Sequence, residues 1–149
     1  MSLLDKINED LKGAMKAREK EKLEAIRAVK TAFLLAKADK GATAVLTLDE
    51  ELKIIQKLVK QRNEAADIYK SQNRIDLYDI EIFEAQVISA YLPKQLTEKE
   101  LTEALKKIIK SAGASGIKDM GKVMAVASKE LAGKAEGKMI AVKVKELLG

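Results

Sequence analysis

The sequence contains no cysteine, no histidine and no tryptophan. Without Cys there is no disulfide framework, no iron–sulfur cluster, no zinc knuckle and no thiol nucleophile. Without His, the usual general base near neutral pH and the commonest metal ligand are missing. Most hydrolase triads, zinc hydrolases and deaminases are thereby excluded. Proline occurs once, glycine eight times, tyrosine three times and phenylalanine twice in 149 residues. A chain so poor in helix breakers, and rich in Ala, Leu, Lys and Glu, reads as helical throughout. No apolar run reaches the roughly 18 residues of a membrane span. The start, Met1-Ser2-Leu3-Leu4-Asp5, lacks the apolar stretch of a signal peptide. We expect a cytoplasmic protein with no membrane association.

What is present supports a packed core: 47% of the residues are hydrophobic and 34% charged. The net charge is +5, and its location is uneven. Residues 1–93 carry 16 basic and 16 acidic side chains, whereas residues 94–149 carry 12 Lys against 6 Glu and 1 Asp. All four Arg lie in the neutral part. This asymmetry suits a polyanion partner for one end, or a solvated Lys surface that keeps the protein soluble.

Apolar periodicity predicts seven helices. They cover about 3–15, 19–38, 47–71, 75–91, 98–111, 117–132 and 136–148. Gly41 is the expected left-handed stop of the second. Thr47/Glu50 and Thr97/Glu100 have the spacing of capping boxes, in which hydroxyl and carboxylate each satisfy the other's backbone N–H. Helices three and four form a long hairpin broken at Asn73. Helix four carries two apolar stripes, Ile75/Tyr78/Ile82/Ala85 and Ile80/Phe83/Val87/Tyr91, so it is expected to be covered on most sides. Arg62 falls on an apolar side and needs a carboxylate partner if buried, Asp76 or Glu84. No segment alternates with period two. The expected fold is all-α: an N-terminal multi-helix domain of about four helices over residues 1–93, then a basic three-helix bundle over 94–149. The single Pro93, which pushes Leu92 out of helix, marks the boundary.

The last 32 residues repeat themselves. Lys118–Gly133 aligns with Lys134–Gly149 with nine identities in 16 positions. This reads as a duplication or as two short helices with similar packing needs. Lys118, Lys122 and Lys129 flank Ala125 at helical spacing, and Lys134, Lys138 and Lys145 flank Ala141 in the same way. Gly121 and Gly137 fall in first helical turns, where free N–H groups and the positive end of the helix dipole suit a phosphate or carboxylate. A bare glycine there also permits tight helix packing, so both readings stand. Gly116 to Val123 only imitates a phosphate-binding loop. Val123 replaces the required Ser or Thr, and no strand precedes it. Acidic pairs such as Glu50/Glu51 and Glu81/Glu84 read as helical surface charge. No catalytic set, metal site or cofactor site emerges.

Four runs together resemble one family. They are Leu58-Val59-Lys60-Gln61-Arg62, Asn73-Arg74-Ile75-Asp76-Leu77, Tyr91-Leu92-Pro93-Lys94-Gln95-Leu96 and Lys118-Asp119-Met120-Gly121-Lys122-Val123-Met124. In this order they resemble the GatB/YqeY family, and specifically its stand-alone YqeY-like proteins. Ala125 departs from the Gly that is common in the family after Gly-Lys-Val-Met. The resemblance implies an all-helical protein whose C-terminal part is similar to the tail of the B subunit of glutamine-dependent aminoacyl-tRNA amidotransferases. In those enzymes the tail contacts tRNA while other domains perform the chemistry.

The expected function is therefore a non-catalytic tRNA-binding accessory protein. Its contact residues would be Lys118, Gly121, Lys122, Lys129, Lys134, Gly137, Lys138 and Lys145. All aromatic side chains lie on apolar stripes, so phosphate and shape contacts are expected rather than base stacking. The second reading is a scaffold subunit for an amidotransferase or an aminoacyl-tRNA synthetase. The third is a carbon–nitrogen ligase with glutamine as amido-N donor, for which the chain offers no catalytic groups.

Overall fold

Steric rules and capping chemistry account for most of the helix boundaries in the computed structural model, which describes residues 2–149. The α-helices are α1 (Leu3–Ala17), α2 (Lys20–Lys40), α3 (Leu48–Ser71), α4 (Ile75–Ser89), α5 (Glu98–Ala112), α6 (Met120–Glu130) and α7 (Gly137–Leu148). A 3-10 turn, Ile117–Asp119, precedes α6. No strand occurs among the described residues. The all-α class, with a long α3–α4 hairpin and three C-terminal helices, is what the periodicity implies.

The chain divides into two compact units, the first ending at Leu92 and the second beginning at Pro93. The N-terminal core gathers Ile7, Ile26, Val29, Phe33, Ile55 and Ile88. These positions sit on one face of each helix, and burying such a side chain contributes about 1.5–3 kcal/mol. The C-terminal core gathers Leu101, Leu105, Ile108, Val123, Ala127, Leu131, Ile140 and Val144. Neither core contains a buried polar or charged residue among the described residues.

Caps set the helix starts. Ser2 and Asp5 close a full capping box on α1, and Thr97 and Glu100 close one on α5. The expected box on α3 is only half made. Thr47 accepts the Glu50 N–H at 3.2 Å, but the Glu50 carboxylate turns to Lys40 at 2.6 Å instead of back to the Thr47 N–H. That lysine also donates to the Val45 carbonyl, so it holds the α2–α3 loop closed. Gly41 does end α2, but at φ 142° and ψ 154°. This is a glycine-only conformation distinct from the left-handed helical stop. Asn73 takes that left-handed role between α3 and α4, at φ 58°.

Helix α4 is less covered than its two stripes imply. Ala85 and Ile88 are buried, but Ile75, Ile80 and Phe83 are exposed at 52%, 45% and 36%. Only its C-terminal half reaches under the rest of the N-terminal core. There the Tyr91 hydroxyl donates to Asp10 at 2.6 Å, and the Lys6 ammonium lies 5.9 Å from the ring centre. Arg62 takes Glu84 as its partner, at 3.6 Å, and donates to the Leu58 carbonyl at 3.2 Å. Asp76 is occupied elsewhere, accepting two bonds from Arg74 at 3.2 Å. Arg62 and its carboxylate thus form a half-buried clasp on the α3–α4 hairpin.

Candidate nucleic-acid interface

Every one of Lys118, Gly121, Lys122, Lys129, Lys134, Gly137, Lys138 and Lys145 is exposed. Helix α6 turns Val123 and Ala127 into the core, and α7 does the same with Ile140 and Val144. The remaining faces carry the lysines together with the exposed apolar side chains Val126, Met139 and Val142. Two of the six lysines depart from the helical stripes that their spacing suggests. Lys118 lies in the 3-10 turn, because α6 starts only at Met120. Lys134 lies in the α6–α7 loop, three residues before α7. Its backbone is fixed there: its N–H donates to Leu131 and its carbonyl accepts from Leu96, both at 2.9 Å. Gly133, at φ 74°, makes this turn, and its carbonyl accepts from the Gln95 side chain at 2.6 Å.

The structure arranges the eight residues by helix ends rather than as one stripe. A Cβ placed on Gly149, just after α7, would lie 3.6 Å from the Ile117 side chain, just before α6. The two helices therefore run antiparallel. One end collects Lys118, Gly121 and Lys122 together with the last turn of α7, which carries Lys145. The other end collects Gly137 and Lys138 with Lys134 and the last turn of α6, which carries Lys129. The 11 residues of α6 set the ends about 16 Å apart at about 1.5 Å per residue.

Each helix start breaks the usual local rules in the same way. Neither α6 nor α7 has a side-chain cap, and neither has an acidic residue in its first turn. The Asp119 carboxylate points backward and accepts the Ser115 N–H at 3.0 Å. Lys122 and Lys138 place cations at the positive end of a helix dipole, where a cation is unfavourable. Gly121 and Gly137 weaken the helix relative to Ala by up to about 1 kcal/mol each. Tight packing does not explain these glycines: a Cβ on either would meet nothing within 4 Å. Nor does either residue adopt a positive φ. Open glycines and adjacent ammonium groups, at two helix starts without side-chain caps, together form a surface that suits an external anion.

The neighbouring lysine on α7 behaves differently. Lys143 is held by Glu98 at 3.1 Å and Glu146 at 3.3 Å, and Glu98 first among them pushes its ammonium pKa up. The six lysines of the two ends have no ion-pair partner among the described residues. The C-terminal unit has no aromatic residue, so it offers no stacking platform. Among the described residues no group of His, Cys, Asp and Glu could hold a metal, and no helix is long and apolar enough to cross a membrane. Sequence spacing misses the division into two ends, because it depends on the antiparallel turn. Asp119 before α6 is a cap-type residue, and only its turn back to the Ser115 N–H leaves that start without a side-chain cap.

The model of the Yqey-like protein family matches residues 4–148. Two fungal proteins, each named "Altered inheritance of mitochondria protein 41, mitochondrial", are similar to the chain. That of Pyrenophora tritici-repentis is 26% identical over 150 residues, covering 99% of this chain and 81% of the relative. That of Clavispora lusitaniae is 31% identical over 106 residues, covering 70% of this chain and 61% of the relative.

Proposed function

The chain belongs to the YqeY-like family, and from that premise we propose that it is a non-catalytic tRNA-binding accessory protein. The C-terminal unit, similar to the tail of the amidotransferase B subunit, grips tRNA phosphates at the two ends of the α6–α7 pair. The observation that carries this reading is the pair of open helix starts. Gly121-Lys122 and Gly137-Lys138 each combine a helix start without a side-chain cap, a bare backbone and a cation, and neither packing nor a positive φ requires the glycine. The separation of about 16 Å, from about 1.5 Å per helical residue, exceeds the reach of one mononucleotide. It favours a polymer that presents several phosphates on a folded surface. The absence of aromatics from this unit favours phosphate and shape contacts over base stacking.

The protein that uses the bound tRNA is an amidotransferase or an aminoacyl-tRNA synthetase, and the chain itself is assigned no chemical step. We place it in the cytoplasm. The two fungal relatives carry "mitochondrial" in their names, so imaging of the tagged protein decides the compartment.

The test is fluorescence anisotropy of labelled tRNA across roughly 50–200 mM salt, for the wild type and for Lys122→Glu/Lys138→Glu. Wild-type affinity falls steeply with salt. The variant keeps its helical circular dichroism and binds tRNA much more weakly, with a shallower salt dependence. Equal binding by both proteins, or none by the wild type at the lowest salt, would sink the assignment.

A further inference from the structure

The acidic side chains of the C-terminal unit are few, and three of them gather on one groove. It lies between α5 and α6 and encloses about 420 Å³. Glu100, Ala104 and Ile108 repeat at four-residue spacing along α5, with Glu103 beside them, and Val126 and Glu130 face them from α6. The floor is apolar. Ile108 reaches it from the core, Val126 is 38% exposed, and the small Ala104 leaves the channel open between them.

The rim carries three carboxylates, Glu100, Glu103 and Glu130, against one ammonium, Lys107. Glu100 already holds the Thr97 N–H at 3.1 Å, which keeps its carboxyl pKa below the ordinary value. Glu103 and Glu130 have no ion-pair partner among the described residues, although this unit is rich in lysine. Lys107 is the cation on this rim. The α5 side extends from Glu100 to Ser111, which is about 16 Å at about 1.5 Å per residue. A groove of that length, with Ala104, Ile108 and Val126 along its floor and carboxylates on its rim, matches the helix-in-groove mode of recognition. Charge complementarity sets the sign of the occupant.

We propose that the α5–α6 groove docks a cationic amphipathic helix of a partner protein. Its apolar residues lie over Ala104, Ile108 and Val126, and its Lys or Arg side chains pair with Glu103 and Glu130. The residues of the groove are distinct from those proposed to hold RNA, so one unit accepts a polyanion on one surface and a basic helix on another.

The experiment uses the full chain and a fluorescein-labelled peptide of about 14 residues, built of Leu on one face and Lys on the other. A Leu/Glu peptide of the same pattern is the control. Three proteins are compared: the wild type, Glu103→Gln/Glu130→Gln, and Ala104→Leu, which fills the floor without changing charge. The Leu/Lys peptide is expected to bind the wild type saturably and the Leu/Glu peptide not at all. Each variant is expected to weaken binding at least about tenfold, which corresponds to about 1.4 kcal/mol. Both are expected to retain helical circular dichroism and bind tRNA no more weakly than the wild type. Equal peptide binding by the wild type and either variant would overturn the proposal. So would tRNA binding lost on filling the floor, or a wild-type dimer in sedimentation that Ala104→Leu dissolves, which would assign the groove to RNA or to a second copy. Failure of the tRNA assignment leaves the peptide result readable, because the two binding assays are independent.

Discussion

The two units bury similar aliphatic cores but finish their helices differently. In the N-terminal unit α1 and α3 have side-chain caps, and α2 and α4 carry Glu21 and Asp76 in their first turns. Each helix start there is satisfied or complemented from within. In the C-terminal unit α5 follows the same rule with a full capping box, whereas α6 and α7 have neither cap nor first-turn acid. The net charge divides in the same way, zero in residues 1–93 and +5 in residues 94–149. Local rules are broken where a surface serves something other than folding. The proposed reading places the anion contact at these two helix starts.

The largest expected effect tests whether the cores are separate. Leu105→Ala in the C-terminal core should cost about 2–5 kcal/mol. Native-state amide exchange should show the loss in α5, α6 and α7, while Ile26 and Ile55 stay protected. Loss of protection in both units alike would break the comparison. A smaller effect separates the surfaces. Lys122→Glu/Lys138→Glu should lower the slope of log affinity for tRNA against log salt by about 2, one unit for each phosphate contact removed. Lys12→Glu/Lys16→Glu in the N-terminal unit should leave that slope unchanged.

Smaller still is a trade between stability and binding. Gly121→Ala/Gly137→Ala should raise stability by up to about 1 kcal/mol per site, since the added methyls meet nothing within 4 Å. The same methyls should weaken tRNA binding by blocking backbone approach. Denaturant melts and anisotropy on the same variant read both quantities. A variant that is more stable and binds equally well would show that the glycines serve no partner.

The smallest effect is a pH dependence confined to the N-terminal unit. Burial first, and then the bond to Asp10, push the Tyr91 phenol well above its ordinary value of 10.0. The unfolded chain ionises Tyr91 near pH 10, while the folded unit holds the proton. The stabilisation is therefore complete below about pH 10 and declines as pH rises past it. Wild type and Tyr91→Phe should converge in stability on going from pH 8 to pH 11 in urea melts. A constant difference across that range would contradict the account.

Much of the fold was legible because it rests on local chemistry. The 3.6-residue periodicity, the Thr97/Glu100 box and the break at Asn73 are properties of neighbouring residues. The misses share a different origin. Glu50 abandons its box because Lys40, ten positions earlier, offers a full charge at 2.6 Å. Ile80 and Phe83 stay exposed because the packing partners, invisible in α4 itself, decide which stripe is covered. Lys118 and Lys134 leave their helices because caps and turns, not spacing, set where α6 and α7 begin. Gly121 and Gly137 were visible in the sequence, but only the open space around them removes tight packing as their reason. The acidic groove was not legible, since Glu103 and Glu130 meet only through the α5–α6 packing.

An amide chemical-shift titration of the full chain with tRNA reads the proposed contact residue by residue. The account predicts that the largest changes fall on Gly121, Lys122, Gly137 and Lys138, with the N-terminal core amides unmoved. Changes centred on α1 to α4, or on the α5–α6 groove, with those four amides unmoved, would contradict it.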